Sequence, residues 1–534
     1  MTKQQQRDYA SVHGTFSLEI PSFFNFGTDV VDRWAQDPER QALIAVDAHG
    51  RERRYSYHDI SQASNRVAAM LRALGVTQGD RVLIMLPRIP EWQIVVVACL
   101  KLGAVAVPCV TMLTAHDLEY RITHSGASAV VTTAGHTHKF DNISVAVRIA
   151  VGDAPTGWTP LSAADDLDDH IAAATVAAED PAVIYYTSGS TGMPKGVTHA
   201  SRALYAWRTS AEYWLSLDDG DVMWCTADTG WSKAGTSILF GPWSRGATVL
   251  FYDGPFDPVT RLDLLERYRV NVFCAAATEF RQLVHADAGA RDLDALRLSV
   301  SAGESVNPEI VVQWRNQTGS PLLDGYGQSE TLMTVVNYPF LRVKPGSMGK
   351  PLPGVVMGVR TADGVGVTGA LTGELVLKAP NPQLMLGYWN DPDRTDASFE
   401  IHEGTRWFRT GDLVSLDEDG YLTFEGRKDD VINSSGYRIG PQEVENALVE
   451  HSAVAEAAVV GVPDDLRGEI VKAFIVLRAG YKTSSNLVAD LQRHTREHTA
   501  PYKYPRAIEF INELPKTATG KIRRNALRAR FSPD

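Results

Sequence analysis

The chain alternates two kinds of segment, and this alternation limits its fold more than any other feature. Short apolar or β-branched runs occur at Arg81 to Leu86, Ala129 to Thr133, Ala182 to Thr187 and Ala247 to Tyr252. Between them lie longer stretches with helical spacing of apolar residues, such as His58 to Leu74 and Pro258 to Tyr268. Such alternation predicts a layered α/β architecture. With 534 residues the chain exceeds what one hydrophobic core supports, and the length alone suggests roughly two to four domains. From about Gly354 to Val414 the pattern changes to short strand-like pieces separated by Gly and Pro, including Gly373 to Lys378 and Asp412 to Leu416, so a β-rich subdomain is expected there. The charged stretch Gly426, Arg427, Lys428, Asp429, Asp430 then reads as a linker or hinge. Beyond it Pro441 opens a helix with Val444, Ala447 and Leu448 on one face, followed by strands near Ala457 to Val462 and Ile470 to Leu477. The expected organisation is a large N-terminal domain, 1–428, of layered α/β subdomains plus the β-rich one, hinged to a small α+β domain, 429–534.

Composition removes several function classes. At 44% hydrophobic and 22% charged residues the chain can build sizeable cores and lacks the profile of a disordered protein. Its formal charge of -12 disfavours nonspecific binding to nucleic acid or anionic membrane, so a polyanionic ligand has to be met at local positive sites. The acidity belongs to residues 1–429, whereas residues 430–534 carry a slight basic excess that is strongest after Lys503. Cys99, Cys109, Cys225 and Cys274 show neither CxxC spacing nor a clustered partner His, which supports neither a disulfide framework nor a zinc site and fits a reducing cytoplasm. Met1 to Ala10 is polar and lacks the apolar core of a signal peptide. The longest strongly apolar run, Ile94 to Leu100, ends at Lys101 and is far shorter than the roughly 20 residues a bilayer requires.

Chemistry concentrates first at Tyr186 to Val197, YTSGSTGMPKGV, directly after an apolar strand. Gly189 and Gly192 let backbone amides approach phosphate oxygens; Thr187, Ser188, Ser190 and Thr191 add hydroxyl donors; Met193 and Pro194 lead to Lys195, which supplies charge. A generic Gly/Ser run is usually a flexible surface loop. Here the preceding strand and the Pro-Lys-Gly ending argue for a polyphosphate cradle. It is not a Walker A loop, because Gly196 follows the lysine where a Ser or Thr should hold magnesium.

With this loop the chain resembles the adenylate-forming enzymes, which include acyl-CoA synthetases, luciferases and peptide-synthetase adenylation domains. Four further segments carry the resemblance in family order: GYGQSE at Gly325 to Glu330, RTGD at Arg409 to Asp412, GRKDD at Gly426 to Asp430 and PKTATGK at Pro515 to Lys521. Gly303, Glu304 and Ser305 resemble the family's other adenine-side segment. Each match alone could be chance, but together they are specific. The resemblance implies ATP contacts from Thr187 to Lys195, Gly303 to Ser305, and Gly325, Tyr326, Gly327, Gln328, Ser329 and Glu330. It adds Asp412 on the ribose, and Arg427, Arg438 and Lys521. Glu330 with Thr187 is the implied Mg²⁺ site, Asp429 the hinge about which the small domain rotates, and Lys521, Glu330 and Lys195 the catalytic set. Ser435, Gly436, Tyr437, Arg467, Tyr504, Pro505 and Arg506 are expected to meet CoA.

The implied reaction is ATP-dependent acid–thiol ligation: carboxylate and ATP give acyl-AMP and pyrophosphate, then CoA takes the acyl group and releases AMP. Residues 227–231, 433–454 and 501–506 look most like the medium-chain acyl-CoA synthetases. Trp231, Ala277, Thr278 and Phe280 lie in segments that line the family's acyl pocket, although each apolar residue has ordinary core as its common fate. A medium-chain or branched fatty acid is expected, with an aryl acid or, less readily, an amino acid as alternatives. Partners are therefore small molecules, with no nucleic acid and no membrane insertion. Lys521 in its turn is also an expected target for a lysine acetyltransferase, which would remove its charge.

Overall fold

The computed structural model describes residues 8–187, 193–434, 437–464, 467–500, 502–516 and 522–531. The chain packs as two compact units: residues 1–356 with 378–406, and residues 357–377 with 407–534. The β-rich segment expected at 354–414 is thus split, with 357–377 and 407–414 packing with the C-terminal residues and 378–406 with the first unit, so the division by packing differs from a boundary at 428/429.

The first unit is built on two sheets. One runs in the order Gly387–Tyr388, Lys195–Ala200, Pro181–Thr187, Val105–Pro108, Arg81–Met85, Ala129–Thr133, Val147–Val151, Thr159–Pro160. From Pro181–Thr187 onward these strands pair in parallel, and runs such as RVLIM are buried on both faces, as parallel sheets require. Lys195–Ala200 pairs antiparallel with Pro181–Thr187, setting Thr187 opposite Lys195, and carries Gly387–Tyr388 on its other edge. The other sheet has the parallel series Leu322–Gln328, Leu298–Ala302, Val272–Cys274, Val222–Cys225, Thr248–Asp253, Gln41–Asp47 at its centre, with Leu332–Val336 returning antiparallel to Leu322–Gln328. Apolar alternation located the long elements well. Expected helices at 58–74 and 258–268 appear as Tyr57–Ala73, started by a Ser56/Asp59 capping box, and Pro258–Arg267.

The second unit holds an antiparallel sheet containing Met357–Thr361, Gly364–Gly366, Leu371–Ala379, Thr405–Leu416 and Leu422–Arg427. Its second sheet contains Ile432–Ser434, Tyr437–Ile439, Val454–Asp464, Gly468–Leu477 and Ala507–Phe510. The helix Pro441–Glu450 packs Val444 and Leu448 into the core of this second sheet.

The apolar run ending at Lys101 is the buried helix Pro90–Lys101. Among the described residues no helix is long and apolar enough to cross a membrane. Lys101 does not mark solvent, because its side chain is 0% exposed. Its ammonium donates to Asp32 Oδ1 at 2.6 Å and Asn65 Oδ1 at 2.7 Å. A charge taken from water survives only with such partners. Lys101→Ala should therefore destabilise the protein by about 3 kcal/mol, since it strands Asp32 and leaves a cavity. Chemical denaturation checks this, and a loss as small as that of a surface Lys→Ala control would contradict it.

Candidate functional site

The parallel strands of the second sheet end together, and the segments that follow them collect at one edge. After Val222–Cys225 comes Ala227 to Trp231; after Val272–Cys274, Ala277 to Phe280; after Leu298–Ala302, Gly303 to Ser305. Tyr326 and Gly327 lie at the end of Leu322–Gln328, with Ala302 opposite Gly325 in register. The carboxyl edge of a parallel sheet is where open α/β folds bind ligands, because loops there are free of the ladder.

Buried polar groups tie these loops down. Asp324 accepts the backbone N–H of Gly325 at 2.8 Å and of Val306 at 3.3 Å, tying the residue after Gly303 to Ser305 to the strand Leu322–Gln328. Burial pushes the Asp324 carboxyl up to about 7. Lys233 Nζ donates to Ala302 O at 3.1 Å and Ala275 O at 3.4 Å, holding two adjacent strand ends. A Cβ on Gly327 would lie 1.9 Å from Leu332 O, so glycine is required there, and Leu332 itself takes a positive φ of 52°. The turn between them projects Glu330.

Glu330 is only 7% exposed. Lys195 Nζ donates to Glu330 Oε1 at 2.6 Å and to the Tyr388 hydroxyl oxygen at 2.8 Å, while that hydroxyl donates to the same Oε1 at 2.9 Å. Burial acts to raise the Glu330 carboxyl, but the Lys195 charge and the two hydrogen bonds outweigh it and leave the group below its ordinary value. For Lys195, burial acts downward and the charge of Glu330 prevails, so its ammonium sits above its ordinary value. The turn is anchored by His199 Nε2, which donates to Ser329 O at 2.6 Å, and by Met385 N, which donates to Glu330 O at 2.9 Å. Thr187, opposite Lys195 in register, has a buried hydroxyl oxygen with no hydrogen-bond partner among the described residues. A buried carboxylate and an unpartnered hydroxyl are hard oxygen donors suited to Mg²⁺.

In the second unit Asp412 is buried and faces Arg427 across the Thr405–Leu416/Leu422–Arg427 pairing, with Arg427 Nη1 3.0 Å from Asp412 Oδ1. Asp429 is exposed, and its carbonyl accepts Arg528 Nη1 at 2.6 Å. Arg528 also pairs with Asp430, which stands 3.7 Å from Arg524.

The remaining expected residues are less gathered. Met193 is exposed, and the Pro194 carbonyl accepts the Tyr120 hydroxyl at 2.8 Å. Ser188 to Gly192, Ser435, Gly436 and Lys521, together with the side chains of Tyr437 and Arg438, lie outside the described residues. Arg467 N donates to Asp464 Oδ1 at 2.9 Å, whereas Tyr504 is bracketed by Arg496 and Arg506, with Pro505 buried beside them. Ala277 and Phe280 are buried in the core of the second sheet, with Phe280 against Phe273 and Trp314, while Thr278 is exposed. Trp231 packs instead against the core of the first sheet. Sequence reading missed Tyr388, His199, Asp324 and Lys233. Each acts by contact across many residues of chain, and only Asp324, immediately before Gly325, adjoins a motif.

A lysine from the hairpin of one sheet and a buried glutamate from the turn of the other thus meet at one place. The sequence profile described as "AMP-binding enzyme" matches residues 30–389, and that described as "AMP-binding enzyme C-terminal domain" matches 443–521. The mitochondrial acyl-coenzyme A synthetase ACSM3 of Mus musculus is 39% identical over 99% of this chain and 94% of its own. The acyl–CoA ligase YtcI of Bacillus subtilis is 40% identical over 96% and 97%. Among solved structures, the anthranilate CoA ligase AuaEII with anthranoyl-AMP superposes with a TM-score of 0.87 at 29% identity, covering 96% of this chain and 98% of its own. The benzoate CoA ligase of Burkholderia xenovorans LB400 gives 0.83 at 30% identity, covering 95% and 100%. The chain belongs to the AMP-binding enzyme family. It is an AMP-forming acyl-CoA synthetase, an acid–thiol ligase.

His199 yields a pH prediction. Burial lowers its imidazole to about 4, so it is neutral in the fold, whereas the unfolded chain protonates it below about 6.5. The unfolded state then binds the extra proton, and stability present above pH 6.5 is lost as pH falls toward 4. Between pH 7.5 and 4.5 this group alone should cost about 2–3 kcal/mol. His199→Gln, which keeps a donor for Ser329 O, should show a deficit against wild type that shrinks by that amount at pH 4.5. An equal deficit at both pH values in urea titrations would refute the assignment.

Proposed function

We propose that the enzyme activates a medium-chain or branched fatty acid, with the loop 187–195, Glu330 and Lys521 acting on the triphosphate. The acid class rests on the similar acyl-CoA synthetases, and the observation that carries the triphosphate roles is the buried Lys195–Glu330–Tyr388 triangle, with Thr187 opposite Lys195 in register. A carboxylate is already ionised at neutral pH, so its attack on the α-phosphorus needs no general base. Repulsion between an anion and a polyanion is what has to be overcome. Glu330 and Thr187 would hold Mg²⁺, which supplies positive charge beside the phosphate oxygens when bound. Lys195 and the loop amides add fixed positive ends, and Lys521 bridges the acid and the α-phosphate. Tyr326 stacks on adenine, with Gly303 to Ser305 on its other side, and Asp412 accepts the ribose hydroxyls with Arg427 beside it.

For the second half-reaction the proposed motion occurs at 428/429, with Asp429 as hinge. Exposure of Asp429 and the attachment of Asp430 to Arg524 and Arg528 support a boundary at that place. Rotation there would remove Lys521 and bring Ser435, Gly436 and Tyr437 to the pantetheine arm, with Arg438, Arg467, Tyr504, Pro505 and Arg506 toward phosphates. The thiol of CoA attacks the acyl carbon, AMP leaves, and the thiol proton goes to solvent. A cytoplasmic location and control by acetylation of Lys521 belong to the same proposal.

An aryl acid is the second reading, favoured by the anthranilate and benzoate ligases among the similar structures. A panel from acetate to decanoate with isobutyrate, benzoate and anthranilate, scored by acid-dependent AMP release with CoA, should peak at medium or branched acids. A benzoate maximum would replace the first reading by the second. Lys521→Ala should abolish acyl-AMP formation yet leave thioester formation from supplied acyl-AMP largely intact. Equal loss of both half-reactions would reject the role given to Lys521.

A further inference from the structure

We propose that the second unit carries a binding site for Zn²⁺, formed by Glu450, His494 and His498. The three side chains each offer a ligand atom, and these atoms lie within 4.8 Å of one another. His494 and His498 are four residues apart on the helix Ser485–His498, hence on one face, and Glu450 is the last residue of the helix Pro441–Glu450. Ligands around one zinc ion sit roughly 3–3.5 Å apart, given bonds of about 2.0–2.2 Å in a tetrahedron. The two imidazoles stack with ring centroids 4.0 Å apart and planes 30° apart, so binding requires the exposed His498 ring to turn until both lone pairs face one ion.

The hydrogen bonds fix the tautomer of both imidazoles. His494 Nε2 meets Ala447 O at 3.0 Å, and His498 Nδ1 meets His494 O at 2.8 Å. A carbonyl only accepts, so the ring proton of each histidine sits on the bonded nitrogen. The opposite nitrogens, Nδ1 of His494 and Nε2 of His498, keep their lone pairs. Anchoring the second ring nitrogen on a backbone carbonyl is the usual support of a metal-bound histidine.

A cation gains from the position as well. The helices Pro441–Glu450 and Ser485–His498 both end here, and helix C-termini present unpaired carbonyls and partial negative charge. His451 adds no fourth ligand as it stands, because its Nε2 lies 3.2 Å from Asp490 Oδ2. Two imidazoles, one carboxylate and water form a donor set for zinc and not for Mg²⁺ or Ca²⁺. Bound zinc would tie the end of one helix to the last turn of the other.

The test titrates chelator-treated, full-length enzyme with ZnCl₂ by calorimetry and substitutes Co²⁺ to read the ligand field. His498→Ala and Glu450→Gln are suited because both side chains are exposed. Wild type should take up zinc with an affinity that His498→Ala weakens at least tenfold and Glu450→Gln weakens less, and the tetrahedral Co²⁺ absorption should vanish in His498→Ala. Zinc should raise the Tm of wild type and not that of His498→Ala. Unchanged zinc affinity in His498→Ala, or no uptake by wild type, overturns the proposal.

Discussion

The first unit depends on one buried ion pair. Glu330 could not remain ionised in its enclosed turn without compensation, because an unpaired buried carboxylate would take up a proton. Lys195 supplies the charge and Tyr388 the second hydrogen bond. The three come from different places: Lys195 from the hairpin of the first sheet, Tyr388 from the short strand paired to it, and Glu330 from the turn of the second sheet. Their pairing is therefore also a joint between the sheets. His199 and Met385 add backbone anchors to the same turn, which explains how the left-handed Leu332 and the close approach at Gly327 are tolerated.

Most of the fold was legible where a run was long and its period clear. The helices opening at Tyr57, Pro258 and Pro441 and the strands beginning at Arg81 and Ala129 follow directly from apolar spacing and capping. Three- and four-residue strands such as Val272–Cys274 and Val222–Cys225 were not legible, because so short a run has no period of its own and is set by its neighbours in the sheet. Lys101 misleads any reading by residue type. Its charge suggests an exposed end, yet Asp32 and Asn65, distant in sequence, make burial affordable.

Site legibility divides along the same line. The segment Gly325 to Glu330 stood out through the family resemblance, and the structure shows why glycine stands at Gly327, whereas Ser188 to Gly192 lie outside the described residues. Tyr388 and His199 did not stand out, since a tyrosine and a histidine in ordinary surroundings carry no local signal. The acyl pocket was least legible for a related reason. Phe280 proves to be packed against Phe273 and Trp314, whereas Trp231 lies on the core of the other sheet. An apolar residue that lines a cavity and one that fills a core obey the same burial rule. In the second unit, by contrast, the register that sets Asp412 opposite Arg427 follows from the hairpin joining their strands.

The resting charges bear on how the proposed nucleotide site would work. Lys195 is engaged by Glu330, so phosphate oxygens compete for an ammonium that already has a buried partner. If phosphate alone displaced Glu330, it would leave that carboxylate bare in a site too dry to solvate it, a loss that offsets much of the new attraction. A nucleotide arriving with its own divalent cation would avoid the loss, because Glu330 would then keep a positive partner. Tyr388 already bridges both groups, since its hydroxyl can donate to the carboxylate and accept from the ammonium. The net charge of -12 has the same consequence at the scale of the whole protein: it repels free polyanions in general and leaves their capture to the few places where buried cations and oriented amides are concentrated.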